Sequence, residues 1–348
     1  MAVGDTALYS GESYISFGRE STFGTYATAT AGIDFIAASL KTVKDAKILE
    51  QVERKRTMSK QMSLGKVCSG EIELNFQSEV TAMGFILQNA FGGTVTSATA
   101  TGETAGGAAL THTFSEGSMN QSFPSLSLNA RKGPATGGKV WRYNGGRVNT
   151  LSMVGALDEP LKATVGMVFK DSTQMSDDLE TFMTATAWEP LSFANGRLSV
   201  ETTFAGLTTT SFWHVQTVNF QLNNNLKTDA NARRIGSDVL AVLPIGVQSY
   251  ELSCQIRFDT TTAYDAMINA TKLAGEFEFL GSTMSTSVIR KGIKVQFQKL
   301  YIKEAGDPEI SGPDDVLMST VVFNVLRDES ASGYAVRALL TNSIANYT

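Results

Sequence analysis

The side chains that could do chemistry in this 348-residue chain are few and scattered. Its two histidines, His112 in LTHTF and His214 in SFWHVQ, have no cysteine, histidine or acidic cluster near them in the sequence. Acid–base catalysis and zinc binding both need such groups brought together. The sequence also lacks a phosphate loop, a Gly-x-Ser-x-Gly turn and a His-Glu-x-x-His helix. We therefore expect no catalytic residue, no metal site and no cofactor.

Paired carboxylates are the other candidate chemistry. Glu71 and Glu73 alternate with apolar residues on a predicted strand and therefore share one face, a spacing that would suit a glycosidase or a metal site. A solvated polar face is the simpler interpretation. The remaining carboxylate pairs are Asp177/Asp178 and Asp314/Asp315.

A basic cluster lies between Lys41 and Lys66, where basic residues outnumber acidic ones. Proteins that bind nucleic acids usually interleave such clusters with aromatic residues, but none lies between Phe35 and Phe76. The pattern favours salt bridges to the acidic second half of a neighbouring chain over nucleic-acid contacts. The candidate inter-subunit contacts are Lys44, Lys47, Arg54, Lys55, Arg56 and Lys60.

The overall composition indicates a soluble, mildly acidic protein with a real core. Hydrophobic residues make up 42%, the net charge is −5, and charged residues make up 18%, below the roughly 25% that is typical. No apolar run approaches the ~18 residues needed to span a membrane, and the N-terminus does not resemble a signal peptide. Cys68 and Cys254 are too few for a disulfide framework, so we expect free thiols in a reducing compartment.

The elements that would position these residues follow an internal repeat. At one constant offset, the one that carries Ile36 onto Val218, two segments with period-two alternation recur, which is the signature of strands with one buried face. The matching residues are Ile36, Ala38 and Leu40 with Val218, Phe220 and Leu222, then Ile72, Leu74 and Phe76 with Cys254, Ile256 and Phe258. We call this spacing the repeat offset.

Each copy continues into a predicted short amphipathic helix. The first places Val80, Met83, Leu87 and Phe91 near helical spacing and ends at Gly92-Gly93. The second places Tyr264, Met267, Ile268 and Thr271 on one face, with Asp259 as the N-cap.

The repeat predicts a mainly β protein with two tandem sandwich or barrel units, each flanked by a short helix. We place the units at residues 1–174 and 175–348. The first carries a long insertion at 92–120, whose Gly/Thr/Ala-rich part predicts either a mobile surface loop or an arm that orders against a neighbouring subunit.

Three segments resemble the major tail tube proteins of long-tailed bacteriophages. The most specific is YISFGRESTFGTYATATAGIDFIAASLK, which is similar to that family's opening strand, turn and second strand. The others are GKVCSGEIELNFQSEVTAMGFILQNAFGG, and VNFQLNNNLK followed by QSYELSCQIRFDTTTAYDAM. Together the likeness runs from Tyr14 to about Leu326.

The resemblance implies a structural, non-catalytic protein that stacks in rings around a channel for DNA ejection. A ring of six units would need three chains of this kind, giving a homotrimer with pseudo-sixfold symmetry. The alternative is a homohexamer with the second units outside. Further implied partners are tape-measure, tail-terminator and distal-tail proteins and passing double-stranded DNA without specific binding. No membrane is implied, and assembly would occur in the host cytoplasm before incorporation into the virion tail.

The alternating strands also suggest which residues would face that channel. Ile72, Leu74 and Phe76 would face the core, and the residues between them would face the lumen, giving a polar, mainly acidic wall that repels DNA. Arg257 fits this wall only if Asp259 pairs with it. The candidate lumen residues are Glu71, Glu73, Asn75, Gln77, Ser253, Gln255, Arg257 and Asp259.

Two other classes of protein remain compatible with this composition. One is a different phage structural or decoration protein, which self-polymerisation would distinguish. The other is a carbohydrate-binding β-sandwich, which would need an exposed aromatic platform or a calcium loop. A β-rich hydrolase is disfavoured by the missing catalytic cluster.

Overall fold

The computed structural model of the chain describes residues 10–49, 61–103, 107–117, 123–133, 138–175, 189–207, 212–258, 261–284, 287–306, 316–330 and 333–347. Strands make up 54% of the structure and helices 10%, so the predicted mainly β fold is confirmed. No helix among these residues is long and apolar enough to cross a membrane.

Among the described residues, eleven strands and one helix form before residue 175. The helix α1 spans Thr81–Phe91. The strands are β1 Tyr14–Arg19, β2 Ala31–Ile33, β3 Ala37–Ala38, β4 Lys41–Ile48, β5 Gln61–Asn75, β6 Thr96–Thr99, β7 Leu110–Ser115, β8 Leu126–Lys132, β9 Lys139–Ala156, β10 Lys162–Phe169 and β11 Asp171–Gln174.

In the described ranges that follow, there are eight strands and a second helix. The helix α2 spans Thr262–Ile268. The strands are β12 Gly196–Glu201, β13 Phe212–Trp213, β14 Val215–Asn223, β15 Ser249–Arg257, β16 Leu273–Thr283, β17 Arg290–Ala305, β18 Met318–Leu326 and β19 Val336–Asn342. Single-turn 3-10 helices lie between some of the elements.

Counting β3 and β4 together as one strand, four strands of each half pair antiparallel in the same order. In the first half β3 and β4 pair with β5, then β5 with β10 and β10 with β9. In the second half β14 pairs with β15, β15 with β18 and β18 with β17. The opening strands β1 and β12 begin at positions related by the repeat offset, and they pair with β8 and β16, respectively. The two halves therefore share one pairing scheme.

A single strand pair joins these two sets into one continuous sheet. Residues 150–156 of β9 pair antiparallel with residues 217–223 of β14. We call this pair the internal junction. Because it continues the hydrogen-bonded ladder, the eight strands follow one another as β3/β4, β5, β10, β9, β14, β15, β18 and β17.

The two helices differ in burial although their sequences were predicted to play the same part. Ten of the eleven residues of α1 are buried, and it ends at Gly92, whose φ of 75° is a left-handed cap, as the Gly92-Gly93 stop predicted. In α2 only Ala263 is buried, while Tyr264 and Ile268 are 43% and 63% exposed. The N-cap of α2 is Thr261 rather than Asp259, because the first residue of the helix is Thr262.

The described residues of the insertion at 92–120 include two paired strands, which corrects the expectation of a mobile surface loop. Strand β6 pairs with β7, and β7 pairs with β19 near the C-terminus, which in turn pairs with β17. Buried His112 of β7 lies 3.1 Å from the Asn342 side-chain oxygen of β19. The insertion thereby ties the first half to the second at a point far from the internal junction in sequence.

Asn224 fixes the internal junction from the end of β14. Its buried side-chain amide donates to the carbonyl of Ala90 at 2.9 Å and to that of Val148 at 2.8 Å. Its side-chain oxygen accepts from the Gln248 amide at 2.7 Å. One polar side chain therefore holds together α1, β9 and the connection that leads to β15.

Replacing Asn224 with leucine should destabilise the chain by about 2–4 kcal/mol, because three polar partners would lose their hydrogen bonds while the side-chain volume stays similar. Denaturant unfolding measures this. The matched control Gln221→Ala, at an exposed position on the same strand, should change the free energy of unfolding by less than about 0.5 kcal/mol. Equal effects of the two substitutions would contradict the role given to Asn224.

A polar sheet face with two open edges as the candidate functional site

One row of paired residues crosses all eight strands without a buried member. Antiparallel partners share a face, so the register alone places them side by side. In strand order the row is Ala37, Glu73, Thr164, Ser152, Gln221, Glu251, Asn324 and Tyr301. We call the surface that this row shares with every second residue along each strand the polar face.

The neighbouring row is entirely apolar and buried. Its members, from β5 to β17, are Leu74, Ala163, Met153, Phe220, Leu252, Phe323 and Ile302. Phe220 contacts the rings of Phe277 and Phe297 at centroid distances of 6.1 and 5.6 Å. Burying such side chains supplies most of the stabilisation of a sheet, about 1.5–3 kcal/mol each. The packed row therefore fixes which residues remain on the polar face.

Six of the eight candidate lumen residues lie on the polar face. Side chains alternate between the two faces of a strand, and each of the six lies an even number of positions from Glu73 or Glu251. All six are exposed or half-buried. They are Glu71, Glu73, Asn75, Ser253, Gln255 and Arg257. Asp259 falls outside the described residues.

Gln77 is a correction. It lies beyond the end of β5, it is fully buried, and its amide donates to the Asp34 carbonyl at 2.6 Å. Alternation fails there because the chain leaves the sheet to enter α1. Gln77 is therefore not part of the polar face.

Charges on the polar face are sparse and of both signs. Acidic Glu71, Glu73 and Glu251 accompany the basic Lys162, Arg257, Lys299 and Lys303. Lys162 donates to Glu159 at 2.8 Å, and this hydrogen bond, supported by the charges of Glu159 and Glu73 against a small opposing effect of burial, raises the pKa of Lys162. Most remaining side chains are small and neutral, so the face offers no concentrated positive charge to hold a polyanion.

The polar face is hollowed where the two halves meet. A depression of about 250 Å³ is lined by residues of β9, β14 and β15, among them Ser152, Gln221 and Glu251. The Ser152 hydroxyl donates to the Asn219 side-chain oxygen at 3.3 Å across the internal junction. The face is therefore continuous across this strand pair.

Both ends of the eight-strand sheet are open edges. Strands β3 and β4 pair only with β5 within the described part of the chain. At the other end, residues 301–305 of β17 pair only with β18 among the described strands. Open edges present unpaired backbone groups that can pair with another chain.

The described residues of the basic cluster lie at one of these edges, on the antiparallel pair of β4 and β5, which we call the β4–β5 hairpin. Lys44 donates to Asp238 of its own chain at 2.8 Å, and this ion pair lowers the pKa of Asp238. The contact of Lys44 with a neighbouring subunit stays a prediction. Lys47 is exposed. The other four candidates, Arg54, Lys55, Arg56 and Lys60, lie outside the described residues.

The histidines and cysteines are held apart. His112 is buried between β6 and β19, and burial lowers its pKa. His214 lies edge-on to the ring of Phe212. Both cysteines are free and buried, and burial raises the pKa of Cys254 to about 12. Across the described ranges no three His, Cys, Asp or Glu side chains come close enough to hold a metal ion.

These features define a structural β protein with one polar face, one packed face and two edges open to further strands. The chain belongs to the phage tail tube protein family, since the family model matches residues 11–325. It is therefore a structural protein of the phage tail that self-assembles into a tube and associates with other tail proteins. No curated protein matches the chain.

The sequence did not identify two contributors to the site. The polar residues of β9 and β10, Ser152 and Thr164, also alternate with apolar neighbours in the sequence, and that pattern could have placed them on the same face. Asn224 gave no such signal, because a buried asparagine and a turn asparagine look alike in the sequence NNN.

Proposed function

We propose that the chain is a duplicated tail tube protein and that three copies close one ring with pseudo-sixfold symmetry. The observation that carries the proposal is the internal junction. There β9, which ends the four-strand series of the first half, pairs with β14, which begins the corresponding series of the second half. Two units of one chain are thus already joined as neighbours in a ring would be.

The open edges extend this arrangement from chain to chain. By the shared pairing scheme, β17 occupies the place of β9 in the second half, and β3 with β4 occupies the place of β14 in the first. Pairing β17 of one chain with β3 and β4 of the next repeats the internal junction between copies. A closed cycle leaves no edge unpaired, which removes the aggregation hazard of the free sheet.

The alternative ring contains six chains, with the second units outside the wall. It requires the second unit to lie apart from the sheet of the first. The pairing of β9 with β14 argues against this, because it puts four strands of each half into the same sheet.

In this ring the polar face lines the channel. The packed row and α1 lie on the other side of the sheet, so the channel wall is made of Glu71, Glu73, Glu251, the separate basic residues of the polar face and their neutral neighbours. Double-stranded DNA passes without specific binding, because carboxylates repel phosphates and the few basic residues are dispersed. The tube assembles in the host cytoplasm, on a tape-measure protein and between distal-tail and terminator proteins.

Native mass spectrometry of rings released from short tubes tests the stoichiometry. The expected mass is that of three 37.3 kDa chains, because each chain supplies two of six units. A mass of six chains would show that one unit of each chain lies outside the wall.

Replacing Glu71 and Glu73 with lysine should leave tube assembly intact but slow DNA ejection by at least about tenfold, because the wall would then attract phosphates. Ejection can be timed by release of fluorescent DNA from phage that carry the variant. The matched control is Glu12→Lys with Glu201→Lys. It changes the net charge by the same amount, at positions that are not on the polar face. Normal ejection by the Glu71/Glu73 variant would exclude these residues from the channel.

A further inference from the structure

An apolar groove lies on the second half and has no occupant among the described residues. It has a volume of about 400 Å³ and lies where β15 begins and β18 ends. Val247 and Leu326 line it and are 78% and 45% exposed, and Tyr250 and Phe123 complete its apolar wall. Side chains of this size are normally covered in an assembled protein when they cluster around a groove.

The corresponding region of the first half is already covered. The connection 224–248, which follows β14, runs back across β9, β10 and β5. Its Ala232, Leu240 and Leu243 are buried against Val168 of β10. The connection also bonds to β5, where the Lys66 amide donates to the Asp238 carbonyl at 2.7 Å.

The repeat relates the covered region to the groove. The repeat offset carries Lys66, which the connection contacts, onto Gln248, which lines the groove. The segment that follows β14 covers the first half. Because β3 corresponds to β14 in the repeat, the segment that follows β3, the β4–β5 hairpin, corresponds to the connection 224–248. In the ring this hairpin belongs to the next chain and starts beside the second half of its neighbour.

The β4–β5 hairpin carries exposed apolar side chains that could fill the groove. Ile48 is 60% exposed, Met62 is 49% exposed and Leu64 is 38% exposed. Met62 pairs with Lys47 and Ile48 with Gln61, so the apolar residues lie on both faces of the ribbon. A two-stranded hairpin alone is marginally stable in water, and it gains stability by packing against another surface.

Charge also fits the hairpin to this part of the second half. Exposed Lys41 and Lys47 accompany its apolar residues. On the other side, Glu329 lies just beyond Arg327, and its side chain is 89% exposed and accepts from Lys299 at 3.0 Å. Opposite charges at the rim of an apolar contact favour one partner and one orientation.

We propose that the groove around Val247 and Leu326 is the docking site for the β4–β5 hairpin of the adjacent chain in the same ring, with Met62 and Leu64 or Ile48 entering it. This proposal rests on the trimeric ring of the proposed function. It assigns a specific partner surface to each side of the contact between chains.

Site-specific photocrosslinking tests the contact. A benzophenone amino acid replaces Met62, and tubes are assembled from an equal mixture of unlabelled and ¹⁵N-labelled chains. The expected crosslinks join position 62 to peptides containing residues 245–250 or 325–327, with mixed isotope pairs that prove contact between chains. Crosslinks within one chain, or to peptides elsewhere, would overturn the docking site.

Charge substitutions give an independent readout. Leu326→Glu and Met62→Glu should each weaken ring formation at least about tenfold in sedimentation experiments, because a carboxylate would enter an apolar contact. The control is Val316→Glu. Val316 is 62% exposed and precedes the first residue of β18, whereas Leu326 is the last residue of that strand.

These experiments distinguish a failure of the threefold ring from a failure of the docking site. If unsubstituted chains form no threefold rings, the proposed function fails and the docking site fails with it. If threefold rings form, but Leu326→Glu and Met62→Glu assemble like Val316→Glu, the ring stands and the docking site is wrong.

Discussion

The need to pair open strand edges governs the rest of this structure. The eight-strand sheet ends at β3 and β4 on one side and at residues 301–305 of β17 on the other, with no further strand beyond them in the described chain. Exposed edges promote uncontrolled association unless they are paired or covered. Within the chain the same problem is solved once, at the junction of β9 with β14. In the proposed ring the outer edges have the same solution, which is pairing between copies.

The internal junction combines backbone pairing between β9 and β14 with the specific hydrogen bonds of the Asn224 side chain. The ladder alone would tolerate sliding by two positions, because alternation is preserved by such a shift. Asn224 removes that freedom, since its three hydrogen bonds to Ala90, Val148 and Gln248 are available in one register. The connection 224–248 then covers the outer part of the first half. Register and coverage therefore come from one segment, which begins at Asn224 itself.

Much of the sheet was predictable from the sequence, but the ends of its elements were not. The alternation of Ile72, Leu74 and Phe76 predicted a packed face, and these residues are fully buried. Gln77 continued the pattern in sequence but left the sheet, because the chain turns into α1. The Gly/Thr/Ala run of the insertion carried no periodicity, yet it contains β6, which pairs with β7, and β7 pairs in turn with β19 from a distant part of the chain. Such long-range partners have no local signature. The ion pair of Lys44 with Asp238 likewise has no local signature, because the two residues are distant in sequence.

The most direct test of the central claim is an electron cryomicroscopy reconstruction of the assembled tube at a resolution that separates strands. The account predicts threefold rings in which each chain contributes eight consecutive strands to one barrel wall, with β17 and β3/β4 of adjacent chains paired as β9 and β14 are within a chain. A sixfold ring whose wall contains only four strands from each chain, with the second halves outside, would contradict it.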